Sequence, residues 1–231
     1  MKSLFIVSFI IINLISQGQT VFSKVREYIL VGSFKTPLAQ LDSCVAKNYQ
    51  KDSAIYYKGL VYLKMNNLKE ANTNYNLLTK SYPNFNDAHF LKGLIYFSEK
   101  KYDNSISEFD IVLSKQPNHL NALYNRSMAL GWSGNYKQGI EGLNKCISLK
   151  PMNHQAYSSR AYWHDKIGDH DKAIKDYETS INLDPKNFDA YFDLARIYRE
   201  KNEKEKSCDV LNNAIKSGSQ IAEELKEMFC K

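Results

Sequence analysis

The chain has 231 residues, 43% of them apolar and 24% charged, and its 31 basic and 25 acidic side chains give a formal net charge of +6. Such a length suits one globular domain or one array of repeats, and the composition is ordinary for a folded soluble protein. Basic residues are interleaved with acids, as in Lys201–Lys206 (KNEKEK), so the one-sided basic stripe of a nucleic-acid binder is missing and no nucleic acid is expected as a partner.

The first eighteen residues read as a separate object. Lys2 precedes an apolar stretch, Leu4–Ile15, and the polar SQGQT follows, with small residues at Ser16 and Gly18. This is the form of an export signal peptide, with cleavage expected near Gly18. As a helix the stretch would span about 18 Å, short of a bilayer core of about 30 Å, so contact with the membrane is expected only through the transient signal. No cysteine follows that could carry a lipid anchor. The expected destination is the periplasm, the cell exterior or the cell envelope.

Beyond this segment the prolines keep time. Pro83, Pro117, Pro151 and Pro185 follow one another at intervals of 34 residues, each closing an apolar helical run. Fixed spacing of this size points to a repeat architecture. Counting each repeat so that its proline is residue 32, the repeats begin at Asp52, Asn86, Leu120 and His154. Position 8 then holds Gly59, Gly93, Ser127 and Ala161, and position 20 holds Ala71, Ser105, Gly139 and Ala173. Position 24 holds Tyr75, Phe109, Leu143 and Tyr177, and position 11 holds Tyr62, Tyr96, Leu130 and His164.

Positions 4, 8 and 11 share one helical face, and so do 20, 24 and 27. A short polar turn separates the two sets, for example Ser133–Asn135, so the helices must run antiparallel. Small residues at 8 and 20 let their axes approach closely. Proline ends each repeat because it cannot continue a helix but can open the next turn.

This pattern resembles the tetratricopeptide repeat (TPR), most clearly over His154–Asn187 with Tyr157, Ala161, Gly168, Ala173, Tyr177 and Pro185. The resemblance implies an all-α fold, a right-handed α-solenoid of stacked antiparallel helical hairpins. The expected organisation is a signal peptide over 1–18, a degenerate first repeat over 19–51, and four clear repeats over 52–85, 86–119, 120–153 and 154–187. A degenerate last repeat over 188–218 and a capping helix over 219–231 complete it. Terminal repeats, with one neighbour each, are free to degenerate.

Position 7 departs from the family's apolar habit, carrying Lys58, Lys92, Arg126 and Arg160. Position 23 offers Glu108 and Asp176 in two of these repeats, while the last repeat turns both positions apolar with Leu194 and Val210. Cross-helix ion pairs Lys92–Glu108 and Arg160–Asp176 are therefore expected.

Cys44 and Cys146 occupy a small core position three repeats apart, too far for a bridge, and are expected to be inert buried thiols. Cys208 and Cys230 lie at the two ends of a helical hairpin turning at Ser217–Ser219, which brings them together for a disulfide of about 3 kcal/mol. Such a bridge would resemble the cysteine-stapled caps of other exported TPR proteins. The cluster His164, Asp165, Asp169, His170 and Asp171 invites a metal, but the repeat accounts for it: His164 falls in a core aromatic position and His170 at the turn. No catalytic set and no phosphate-cradling loop appears, so no enzyme, metal or cofactor is expected.

Resemblance to the family places the first helices along a concave groove, lined by positions 5, 9 and 12. These are Tyr56, Leu60 and Leu63, then Phe90, Leu94 and Phe97, then Tyr124 and Met128, then Tyr162, and finally Phe192, Arg196 and Arg199. The expected function is a protein-interaction scaffold that holds a peptide or a partner's helix against this apolar, aromatic strip. The Lys, Asn and Arg set with which some TPR proteins clamp a terminal carboxylate is absent from most of its places. The alternative is a structural subunit of an envelope or secretion assembly, contacting partners by its convex face or ends.

Overall fold

The computed structural model describes residues 21–25, 27–28 and 32–230, and the expected signal peptide lies outside them. Among the described residues the regular structure is helical, with no strand. A short helical stretch before residue 29 is followed by α1 (Lys35–Ala46), α2 (Lys51–Lys64), α3 (Leu68–Ser81), α4 (Asp87–Ser98), α5 (Tyr102–Lys115) and α6 (Leu120–Trp132). Then come α7 (Tyr136–Leu149), α8 (His154–Lys166), α9 (His170–Leu183), α10 (Phe188–Glu200), α11 (Lys204–Lys216) and α12 (Ile221–Cys230). None of these helices is long and apolar enough to cross a membrane. The chain forms two compact bodies, one ending at Glu108 and the other beginning at Phe109.

In the first body α2 packs on α1, on α3 and on α4. Gly59 shows why its small side matters: a Cβ there would stand 2.5 Å from Cδ2 of Leu91 on α4. Leu91 and Ile95 are fully buried against Ala71, with Tyr62, Leu63 and Tyr75 closing over them. Gly93 serves differently, its carbonyl accepting a 2.8 Å hydrogen bond from the buried Ser105 hydroxyl on α5. Pro37 sits in the first turn of α1, where its missing N–H leaves no bond unmade.

The second body repeats the scheme. Each first helix packs on its own second helix and on the next first helix, α6 with α7 and α8, α8 with α9 and α10. Ala161, Ala173 and Tyr177 are buried with Ala190 and Leu194 of α10. Ser207 on α11 donates to the Ala195 carbonyl at 2.8 Å, the same bond that Ser105 makes to Gly93. Gly131 lies directly under the Trp163 ring, so that α8 approaches α6 where no side chain intervenes. Burying one such large side chain contributes roughly 1.5–3 kcal/mol.

Among the described residues, the hairpin turns from Met65 onward each pass through one left-handed residue, the conformation that closes a helix C-terminus. Gly134 (φ 90°) and Gly168 (φ 78°) adopt it without a side-chain clash, whereas Asn66, Lys100 and Asn202 adopt it with φ between 55° and 60°. The second helix then begins at once, with Asn67 accepting from the Glu70 amide at 3.2 Å in the first case.

The charged positions divide the expectations. Arg160 does grip Asp176, Nε and Nη2 each donating at 2.6 Å. Lys92 does not meet Glu108. Its ammonium donates to Asn72 at 2.9 Å and rests over the Tyr75 and Tyr96 rings, while His89, one turn earlier, holds Glu108 at 2.9 Å. Three of the position 7 cations also reach back sixteen residues to the preceding helix: Lys58 to Asp42, Arg126 to Asp110 and Arg160 to Asn144.

Cys44 and Cys146 are free and buried, and burial pushes both thiols up, that of Cys146 to about 11. Cys208 and Cys230 stand with sulfurs at 2.08 Å and Cα atoms at 5.8 Å, joining α11 to the end of α12.

Candidate partner-binding site

The first body contributes six of the candidate residues. Tyr56, Leu60 and Leu63 are spaced four and three residues apart on α2, hence on one face, and each is half-buried. They pack sideways against Leu91 and Ile95 of α4 while leaving their outer edges open. On α4, Leu94 and Phe97 are likewise half-buried, and Phe97 meets the Tyr102 ring edge-on at 5.6 Å. Phe90 differs: at 7% exposure it belongs to the core. Beside Tyr56 an open depression of about 370 Å³ is lined by Phe22, Gln50, Tyr57 and Phe85, with the Phe22 ring stacked on Tyr57 at 5.1 Å.

In the second body Tyr124 and Met128 pack against the cluster of Leu123, Leu143, Cys146 and Trp163, and the Tyr124 hydroxyl lies 2.9 Å from that of Ser159. Tyr162 stands edge-on to Trp163 at 4.9 Å, and Phe192 joins the cluster of Tyr191, Ala214 and Ala222. The two arginines expected at the charged end are already occupied. Arg196 donates to the buried Asp165 at 2.7 Å and to Glu200 at 2.8 Å, and it neighbours Asp193 at 3.6 Å. Burial works against its charge, but the bonds to Glu200 and Asp165 outweigh it and hold the guanidinium above its ordinary value. Burial raises Asp193 despite Arg196. Arg199 stacks over the Phe229 ring of α12 at 4.6 Å.

The histidine and aspartate cluster is absorbed into the fold. His170 Nδ1 lies 3.2 Å from Asp165, Lys172 donates to Asp169 at 2.6 Å, and Lys201 donates to Asp171 at 2.7 Å. His164 is buried, and that burial holds its imidazole below the ordinary value.

Sequence reasoning passed over Trp132. It ends α6 with 47% of its surface open, next to the rings of Tyr162 and Trp163, and Ile167, in the turn after α8, is open at 41%. A signal was available: position 13 is polar in the four repeats on either side, as Lys64, Ser98, Lys166 and Glu200, so a tryptophan there answers no packing rule of these repeats.

Three stretches of the chain match models of the family: residues 56–119 and 188–217 match models described as tetratricopeptide repeat, and 166–202 one described as TPR repeat. No curated protein matches the chain. Among solved structures, MamA is similar at a TM-score of 0.61, with 22% identity over 74% of this chain and 97% of its own. TTC0263, a thermophilic TPR protein of Thermus thermophilus, gives 0.67 at 16% identity over 78% and 97% of the two chains. YrrB, described as a TPR protein with an unusual peptide-binding site, gives 0.59 at 17% identity over 81% and 97%. The 34-residue rhythm, the small residues where helices cross and the family matches lead to one conclusion: this all-α chain belongs to the tetratricopeptide repeat family, with the TPR solenoid as its fold class.

Proposed function

We propose that the chain is a non-enzymatic interaction scaffold that holds a peptide or a partner's helix on the apolar faces of its first helices. One observation carries the reading. In the first body, Tyr56, Leu60 and Leu63 of α2 and Leu94 and Phe97 of the adjacent α4 form a set of half-buried apolar side chains, where a closed core would hide them and a plain surface would be polar. An amphipathic helix or an extended apolar segment is the kind of ligand that such a face accepts. The peptide-binding site named for YrrB supports the same use of the fold.

A second reading, in which partners meet the second helices, has its own support in Leu77 of α3, exposed at 44%. Photocrosslinking in native cells from positions 60 and 94, against position 77, separates the two. Adducts from 60 and 94 alone support the first-helix face; adducts from 77 alone move the contact to the other side and overturn it.

We further propose that the protein is exported. The basic start, the apolar Leu4–Ile15 stretch and a cysteine pair positioned to bond in an oxidising compartment support this. Intact mass of the native protein tests it: loss of about eighteen residues agrees with a cleaved signal, and a full-length chain recovered from cytosol does not.

A further inference from the structure

At the turn end of the second body four aromatic rings gather, one of them exposed, two half-buried and one buried. Trp163 is buried against Gly131, and Trp132, the next residue along α6, is held outside it, edge-on with ring centroids 5.4 Å apart. Tyr162 lies 5.9 Å from Trp132, and Tyr136 lies 5.6 Å from Trp163. Ile167 shares an open depression of about 320 Å³ with Tyr136 and Lys137. Trp132 and Ile167 are the most exposed members of this apolar floor, and neither position is needed by the core.

Two ammonium groups border the floor, against one exposed carboxylate, Glu141, a turn beyond Lys137 on α7. Lys137 is exposed and makes no ion pair among the described residues, and Lys166 makes none either, its ammonium lying 4.9 Å over the Tyr162 ring. Three aspartates near Lys166 are already engaged: Asp165 by Arg196, Asp169 by Lys172 and Asp171 by Lys201. The opening of α7 adds to this, because Asn135 turns its side chain to Ser133 at 3.0 Å instead of capping the helix amides. Those amides leave positive potential beside Lys137.

We propose that this surface docks an acidic peptide segment bearing one large apolar side chain. The apolar group covers Trp132 and Ile167, and the flanking carboxylates face Lys137, Lys166 and the start of α7. A neutral or basic segment would leave both ammonium groups unmatched under an apolar ligand, which costs affinity. The proposal rests on the reading of the chain as a binding scaffold but uses residues of the second body, apart from the α2 and α4 face.

The test selects a display library of random peptides on the full chain and titrates the winning peptides, made synthetically, against variants. The expected winners carry Phe, Trp or Leu flanked by Asp and Glu. Trp132→Ser and, separately, the pair Lys137→Glu with Lys166→Glu should each weaken them on the order of tenfold, as loss of an anchor or of matched charge does. Trp132→Phe should retain most of the binding, and added salt should weaken it. Circular dichroism of each variant checks folding, and Ile167→Ser supplies a second anchor variant. Winners that are neutral or basic, winners that bind Trp132→Ser undiminished, or no winners at all overturn the proposal. Leu60→Glu with Leu94→Glu tells the two surfaces apart: winners lost there and kept in Trp132→Ser favour the first-body face and sink this one.

Discussion

Arg160 and Asp176 meet across the turn of one hairpin in a two-point contact, with Nε and Nη2 each donating to a carboxylate oxygen at 2.6 Å. Asp176 is buried, and the guanidinium is the partner of both its carboxylate oxygens. Arg160→Leu should therefore cost about 3 kcal/mol, chiefly by stranding the carboxylate. The double variant Arg160→Leu with Asp176→Val copies Leu194 and Val210 of the following repeat and should recover most of that loss. Urea unfolding of the three chains measures it; a double variant as weak as the single one contradicts the stranded-charge account.

The repeat frame was readable because size, more than chemistry, recurs at its crossing points. Gly59, Gly93 and Ala161 announce a close approach whatever lies opposite, and 34-residue spacing tells which residues are equivalent. Partner choice was less readable. Position 23 offered Glu108 to Lys92, but His89 reaches it first, and the rings of Tyr75 and Tyr96 hold the ammonium elsewhere. The backward contacts of Lys58, Arg126 and Arg160 depend on distances between neighbouring hairpins, which a sequence frame does not contain. For the candidate site, the frame located the first-helix residues, but it could not tell that Phe90 is sealed in the core or that Arg196 is spent on Asp165.

Two of the close-packed glycines, Gly59 and Gly131, should respond differently to the same added methyl. At Gly59 the obstacle is the flexible end of Leu91, which can turn aside, and alanine's better helix propensity offsets part of the strain. At Gly131 it is the rigid, fully buried indole of Trp163. Gly131→Ala should destabilise by about 1–3 kcal/mol and shift the fluorescence of Trp163, with Gly59→Ala costing clearly less. Equal losses would mean that the ring yields as easily as a leucine methyl.

Lys100 takes a left-handed turn conformation, φ 59°, that the turns at Gly134, Gly168 and Gly218 give to glycine. A side chain there costs roughly 1 kcal/mol. Lys100→Gly should accordingly raise the unfolding midpoint, less what the added freedom of the unfolded glycine takes back. A lowered midpoint would show that Lys100 makes a favourable contact outweighing its backbone cost.

Helix α12 fully buries a single side chain, Ala222, and leaves Ile221 and Met228 exposed, so it depends on its tie to Cys208. Oxidised protein, denatured, should titrate two thiols, those of Cys44 and Cys146. Replacing Cys208 and Cys230 with serine should cost about 3 kcal/mol by the loop-entropy account. The loss should be local: amide exchange should quicken over residues 221–230 and change little in α8. Four titratable thiols, or an unaltered exchange rate in α12, would remove the staple from the account of this cap.

His164 gives the fold an acid sensitivity with a definite sign. Its imidazole is buried in a position that four other repeats fill with Tyr28, Tyr62, Tyr96 and Tyr198, and one with Leu130. Burial holds it below its ordinary value, against the pull of Asp176 and Asp169, which favour the charged ring, and Arg160 and Lys172 add to the depression. In the unfolded chain it titrates near the ordinary value of about 6.5. As pH falls below that value the unfolded state takes up a proton that the folded state refuses, so stability falls with pH until the folded ring also protonates. His164→Tyr restores the commonest residue type at this position and should flatten the dependence of unfolding midpoint on pH between about 7 and 5, above the range where carboxylates titrate. An equally steep dependence in the variant would assign the acid sensitivity to another group, with His154 and His170 the next to substitute.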